Sequence, residues 1–172
     1  MREKLLGALE SSDARRRVGR AERIEWLSLH QRTPPIYAGR TETLQVFHEA
    51  RNTFIDGYYV GSLLLALAFL EHTIIEELRL LGHTKGFPSF AQAIDLARER
   101  KVFPEDWLKR AKALSHRRNA YCHPKDDEHA LSLGNRIRLE DRHPTAIMED
   151  DAKKALELMY DLFVATLREH SD

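Results

Sequence analysis

The sequence predicts an all-α protein: an up-and-down bundle of four to five helices with an N-terminal helical appendage. Three observations predict it. Apolar residues recur at steps of three and four through most of the chain, the period of an amphipathic helix. Helix-end signals fall between those stretches: Asp56-Gly57, Gly82, Ser89 with Gln92, and Pro104. No segment shows the alternation of a half-buried strand.

Residues 1–40 read as the appendage. Arg15, Arg16, Arg17, Arg20 and Arg23 form a basic cluster, and a short helix is expected over roughly 21–30 with Ile24, Leu27 and Trp26 on one side. Thr33-Pro34-Pro35 should end it, because proline cannot continue a helix. The arginines suit either contacts to RNA phosphates, through Arg15, Arg16, Arg17 and Arg20, or a solvated face paired with Glu22 and Glu25. The balanced net charge favours the solvated face.

Residues 41–172 read as the bundle. Thr41 is a plausible N-cap, with Glu42 in the first turn. Leu44, Phe47, Ala50 (or Arg51) and Phe54 mark one face. Asp56-Gly57 turns the chain into an antiparallel hairpin. The second helix, about 58–81, is the most apolar element. Leu63, Leu67, Leu70, Ile74, Leu78 and Leu81 form one stripe, which Leu64, Ala68 and Ile75 widen. Such a helix belongs at the middle of a bundle or at a dimer contact. Gly82 closes it.

Ser89 and Gln92 make a capping box that opens a helix to about Arg100, with Phe90, Ala93, Ile94 and Ala97 inward. Pro104, Glu105 and Asp106 then start a helix running to Tyr121. Residues 124–144 are polar, include Asp126-Asp127-Glu128-His129, and read as a long loop. The closing helix begins near Thr145 or Glu149 and runs to about Glu169. Ala152, Ala155, Leu156, Met159, Phe163, Thr166 and Leu167 face inward.

Composition bounds the function. The chain has 172 residues, 42% of them hydrophobic and 31% charged, which suits one globular domain. Twenty-seven basic residues balance twenty-seven acidic ones, so any nucleic-acid surface must be local. The single cysteine, Cys122, excludes an internal disulfide and suits a reducing compartment. The first residues carry no signal-type apolar segment, and the uncharged stretch 58–70 is short for a membrane span. A cytoplasmic protein with no membrane association is expected.

The chemistry gathers at Arg117-Arg118-Asn119-Ala120-Tyr121-Cys122-His123-Pro124. Trp107, Ala111, Leu114 and Tyr121 form an apolar stripe, and Arg118 occupies its missing position. A charge there needs a partner. Glu71, in the row of Leu64, Ala68 and Ile75, is the candidate, as a plain ion pair holding the bundle or as a carboxylate that positions the arginine. Asn119 and His123 are four apart and would be neighbours on a helix. Pro124 should end the helix at His123.

This stretch resembles the signature of the HEPN superfamily, an arginine, four to six residues, then a histidine, often with a polar residue after the arginine. Arg118, Asn119 and His123 match with a spacing of four; Arg117 would give five. The order of helices over residues 41–170 is also similar to the HEPN bundle. The resemblance implies a homodimeric, metal-independent ribonuclease without a cofactor. His123 would be the acid or base, Arg118 would hold the scissile phosphate, and Asn119 would orient His123 or bind a phosphate oxygen. Arg117, Tyr121 and Glu71 would support them. Implied partners are RNA and a nucleotidyltransferase-type antitoxin or another defence-system protein. Relatives that have lost activity serve as scaffolds, so an inactive interaction module is the alternative.

Two other chemistries are weighed. His116, His123 and His129 with Asp126 and Asp127 match no compact metal-ligand spacing, so no metal is expected. Cys122 beside His123 would be a nucleophile only if the two faced each other, which adjacent helical residues do not.

Overall fold

The computed structural model describes residues 1–30, 40–126 and 128–167. Among them are seven helices and no strand: α1 (Arg2–His30), α2 (Thr41–Ile55), α3 (Tyr59–Leu80), α4 (Phe90–Glu99), α5 (Glu105–Cys122), α6 (Leu133–Glu140) and α7 (Pro144–Ala165). The fold is an all-α bundle built from α2, α3, α4, α5 and α7.

α3 is its axis and packs most extensively on α2 and α7. Leu63, Leu67, Leu70, Ile74 and Leu78 are buried, as the stripe requires, and Ala66 and Phe69 on neighbouring rows are fully buried too. Leu81 is the exception: half of it stays exposed, because the helix stops at Leu80 and Leu81 is its cap. α3 is long and apolar enough to cross a membrane by length and composition, but 56% of that window lies buried inside the bundle. Truncating any central leucine here, such as Leu67, is worth about 2–5 kcal/mol.

Both expected glycine stops are present. Gly57 (φ 83°) and Gly82 (φ 73°) take left-handed backbone that a side chain would strain. Behind them the Tyr58 amide donates to the Thr53 carbonyl and the His83 amide to the Leu78 carbonyl, closing α2 and α3. The first of these turns makes the α2–α3 hairpin. There the Ser62 hydroxyl donates to the Ala50 carbonyl at 2.9 Å, satisfying a buried polar group between the helices.

α4 opens with the full Ser89–Gln92 capping box and buries Phe90, Ala93, Ile94 and Ala97. On α7, every residue expected inward up to Thr166 is buried. That helix starts at Pro144 under a His143 cap, and the expected end at Glu169 lies outside the described residues.

Four expectations are corrected. Thr41 is the first residue of α2 rather than its cap, which is Arg40. α1 is one continuous helix of 29 residues rather than a short helix from 21. Of its expected apolar side only Leu27 is buried, Trp26 is half-buried and Ile24 is 51% exposed, because α1 touches the bundle along a narrow line. Finally, 124–144 is not all loop, since it contains α6. The proline break at 33–35 and Asp127 lie outside the described residues.

Candidate functional site

α5 buries Leu108, Ala111 and Leu114 and leaves Trp107 half-buried. Arg118 continues this inward stripe. Its guanidinium is 3.9 Å from the Glu71 carboxylate on α3, with the two side chains 28% and 31% exposed. That separation makes an ion pair without a hydrogen bond. The same guanidinium donates to Asn119 Oδ1 at 3.3 Å. Most N–H groups of Arg118 therefore have no acceptor among the described residues.

Arg117, the neighbouring candidate, has a different setting. It donates to Asp151 on α7, which is completely buried. Tyr121 Oη donates to the same carboxylate at 3.0 Å. Arg136 on α6 completes the cluster with two hydrogen bonds, one of them at 3.1 Å, and also donates to Glu140 at 3.1 Å. Burial pushes the Tyr121 phenol well above its ordinary range, and the charge and hydrogen bond of Asp151 push it further. Burial works against the Arg136 charge, but hydrogen bonding and attraction from Asp151 outweigh it, so its pKa is raised. Two guanidiniums and a phenol satisfy one buried carboxylate, the pairing that burial of a charge demands.

The helix ends as Pro124 requires. His123 is extended (φ −129°, ψ 133°) and its amide donates to the Asn119 carbonyl at 3.0 Å. Its imidazole is exposed. The side chain of Asn119 meets Arg118; among the described residues no hydrogen bond joins it to the imidazole. Arg118 and His123 are separated by about 7.5 Å of helical rise. The site thus combines a half-buried, largely unspent guanidinium, an amide beside it and an accessible proton carrier at one helix end.

The remaining candidates lie elsewhere. Arg15, Arg16 and Arg17 are exposed on α1. Arg20 pairs with Asp56 at 3.1 Å rather than with Glu22 or Glu25, and Arg23 donates to the Ile55 carbonyl at 2.9 Å, so these two dock α1. His72 is exposed. Among the described residues no three His, Cys, Asp or Glu side chains converge as metal ligands. Cys122 is an exposed free thiol.

Asp151 and Arg136 escaped the sequence reading. Asp151 carried the signal that singled out Arg118: a charge on an apolar stripe, here Ile147, Asp151, Ala155, Leu158 and Leu162, all buried. Arg136 had no comparable signal, because α6 has no apolar stripe and Arg136 is its one buried residue.

No protein-family model, curated protein or solved structure matches this chain.

Proposed function

We propose that the chain is a metal-independent endoribonuclease of HEPN type, acting in the cytoplasm as a homodimer and serving as a toxin or antiviral-defence component. What carries this reading is the end of α5, where Arg118 keeps most of its N–H groups available beside the exposed imidazole of His123. RNA brings its own nucleophile, so a proton carrier and a cation suffice. His123 takes the proton from a ribose 2′-hydroxyl as that oxygen attacks the adjacent phosphorus, or returns one to the departing 5′-oxygen. A positioned histidine contributes about 10²–10⁴-fold. Arg118 matches the phosphate oxygens bidentately as their charge develops, while Glu71 faces one terminal nitrogen of the guanidinium and orients it. Asn119 steadies the guanidinium. Pairing of two copies about a two-fold axis would bring both sets of groups to one cleft.

The second reading is a silent HEPN dimer that binds a partner protein, such as a nucleotidyltransferase-type antitoxin. It is favoured by one observation: both arginines of the motif already face carboxylates.

Cleavage of mixed RNAs by the purified chain in EDTA separates the two. The nuclease reading expects 2′,3′-cyclic phosphate and 5′-hydroxyl ends, and loss of cleavage in His123→Ala. An inert wild type that forms a stable dimer would favour the interaction module.

A further inference from the structure

The solvent side of α5 carries a groove that the proposed chemistry does not use. It has a volume near 500 Å³ and is lined by Arg98, Lys109, Lys112, His116 and Arg117 around a floor of Ala113 and Leu131. Five lining side chains are cationic or can become so. Arg117 is spent on Asp151. Arg98 is held by Asp95 at 2.9 Å and Glu105 at 3.2 Å. The two lysines reach the same carboxylates only loosely, Lys109 to Glu105 at 3.6 Å and Lys112 to Asp95 at 3.8 Å. Their side chains are 69% and 50% exposed, so exchanging such contacts for another anion costs little. Three cations thus face two carboxylates, and His116 adds charge when protonated.

The groove points somewhere. Lys109 and His116 are seven residues apart on α5, a step that drifts by only about 20°, and His123, the residue that caps the helix, follows seven further on. Lys112 and Asn119 border the same strip. The line from Lys109 to His123 covers about 21 Å. Cations at the edge attract phosphates, and an aliphatic floor can cover the apolar faces of unpaired bases. A duplex hides its base faces and would leave Ala113 and Leu131 uncovered.

We propose that this groove is a docking track for single-stranded RNA, which holds the strand by its phosphates through Lys109, Lys112 and His116 and leads it to His123. The proposal rests on the ribonuclease reading and adds to it the form of the substrate and its path. No Phe, Tyr or Trp lines the groove among the described residues, so binding is expected to be indifferent to sequence and steeply dependent on salt.

The test is anisotropy of a labelled, mixed-sequence single-stranded RNA titrated with the full chain at several KCl concentrations. All variants carry His123→Ala, so that nothing is cleaved, and thermal melts confirm that each is folded. Lys109→Ala with Lys112→Ala should weaken binding and lower the slope of log affinity against log salt by about 1.4, about 0.7 for each lost phosphate contact. Lys4→Ala with Lys85→Ala, at exposed positions outside the groove, should leave that slope unchanged. An unchanged slope in the lysine variant overturns the track, as does tighter binding of a matched duplex. Displacement by a polyglutamate peptide without any RNA binding also overturns it, and would make the groove a surface for an acidic protein. Cleavage by the otherwise native chain reports separately. If it persists undiminished in the lysine variant, the track fails and the nuclease stands. If no cleavage occurs but lysine-dependent RNA binding does, the nuclease fails and the track stands.

Discussion

Arg117 and Arg118 are adjacent, yet they serve carboxylates on different helices: Arg117 meets Asp151 on α7, and Arg118 faces Glu71 on α3. The first partner is wholly buried and shared with Tyr121 and Arg136. The second is a third exposed and too distant for a hydrogen bond. Arg117 is thus engaged in the fold, whereas most N–H groups of Arg118 have no acceptor among the described residues.

The Asp151 cluster should dominate stability at this end of the bundle. Asp151→Ala leaves two cations facing a vacancy, and breaking a buried pair in this way costs about 3–5 kcal/mol. Denaturant unfolding should show a loss of that size. Replacing Asp151, Arg117 and Arg136 together by apolar residues of similar volume should recover most of it. A loss below about 1 kcal/mol for Asp151→Ala would mean the cluster is not what joins α5, α6 and α7.

Glu71 should behave differently. Its pair with Arg118 is partly exposed, so Glu71→Gln should cost less than about 1 kcal/mol in the same unfolding measurement. RNA cleavage should nevertheless fall severalfold, because the guanidinium loses the charge that orients it. Unchanged cleavage would reduce Glu71 to a plain structural ion pair.

Alkaline pH should destabilise the protein through its buried phenols. Burial raises Tyr121, Tyr59 and Tyr160, helped at Tyr121 by Asp151 and at Tyr59 by Glu149, and opposed at Tyr160 by Arg51. A phenol whose pKa is higher folded than unfolded holds its proton more tightly in the folded state. The resulting stability is complete below the ordinary value of 10.0 and is lost as the pH rises through the folded value. Melting temperature should therefore fall as the pH passes 10, and Tyr121→Phe should flatten that fall. An unchanged slope in Tyr121→Phe would contradict the assignment.

The attachment of α1 should depend on its last third. Leu27 is 2% exposed, Trp26 packs on Phe54 with ring centroids 5.1 Å apart, and Arg23 donates to the Ile55 carbonyl. Leu27→Ala should cost about 2–5 kcal/mol. Leu5→Ala and Leu9→Ala, at exposed positions, should stay within about 0.5 kcal/mol. Thermal melts of the three variants decide this.

What the sequence made legible follows from where apolar side chains are. α3, α4 and α7 bury stripes of Leu, Ile, Phe and Ala, so periodicity located both the helices and their inward residues. Glycine and capping signals located their ends for the same local reasons. α6 stayed hidden because an ion pair anchors it, and charge pairing between distant segments leaves no period to read. The length of α1 is not legible because its first half buries no residue among those described, so no inward face marks it. At the site, the helix end and the odd placement of Arg118 were readable from spacing and from Pro124. The roles of Arg117 and Tyr121 were not, because both depend on Asp151, thirty residues or more away.

The most direct measurement is RNA cleavage in EDTA by Arg118→Ala beside Arg117→Met, at a temperature where melts show both folded. The account predicts that Arg118→Ala keeps its stability and loses cleavage, while Arg117→Met loses stability and keeps cleavage of cyclic-phosphate type. Cleavage that survives in Arg118→Ala and disappears in Arg117→Met would reverse the two roles and contradict the account.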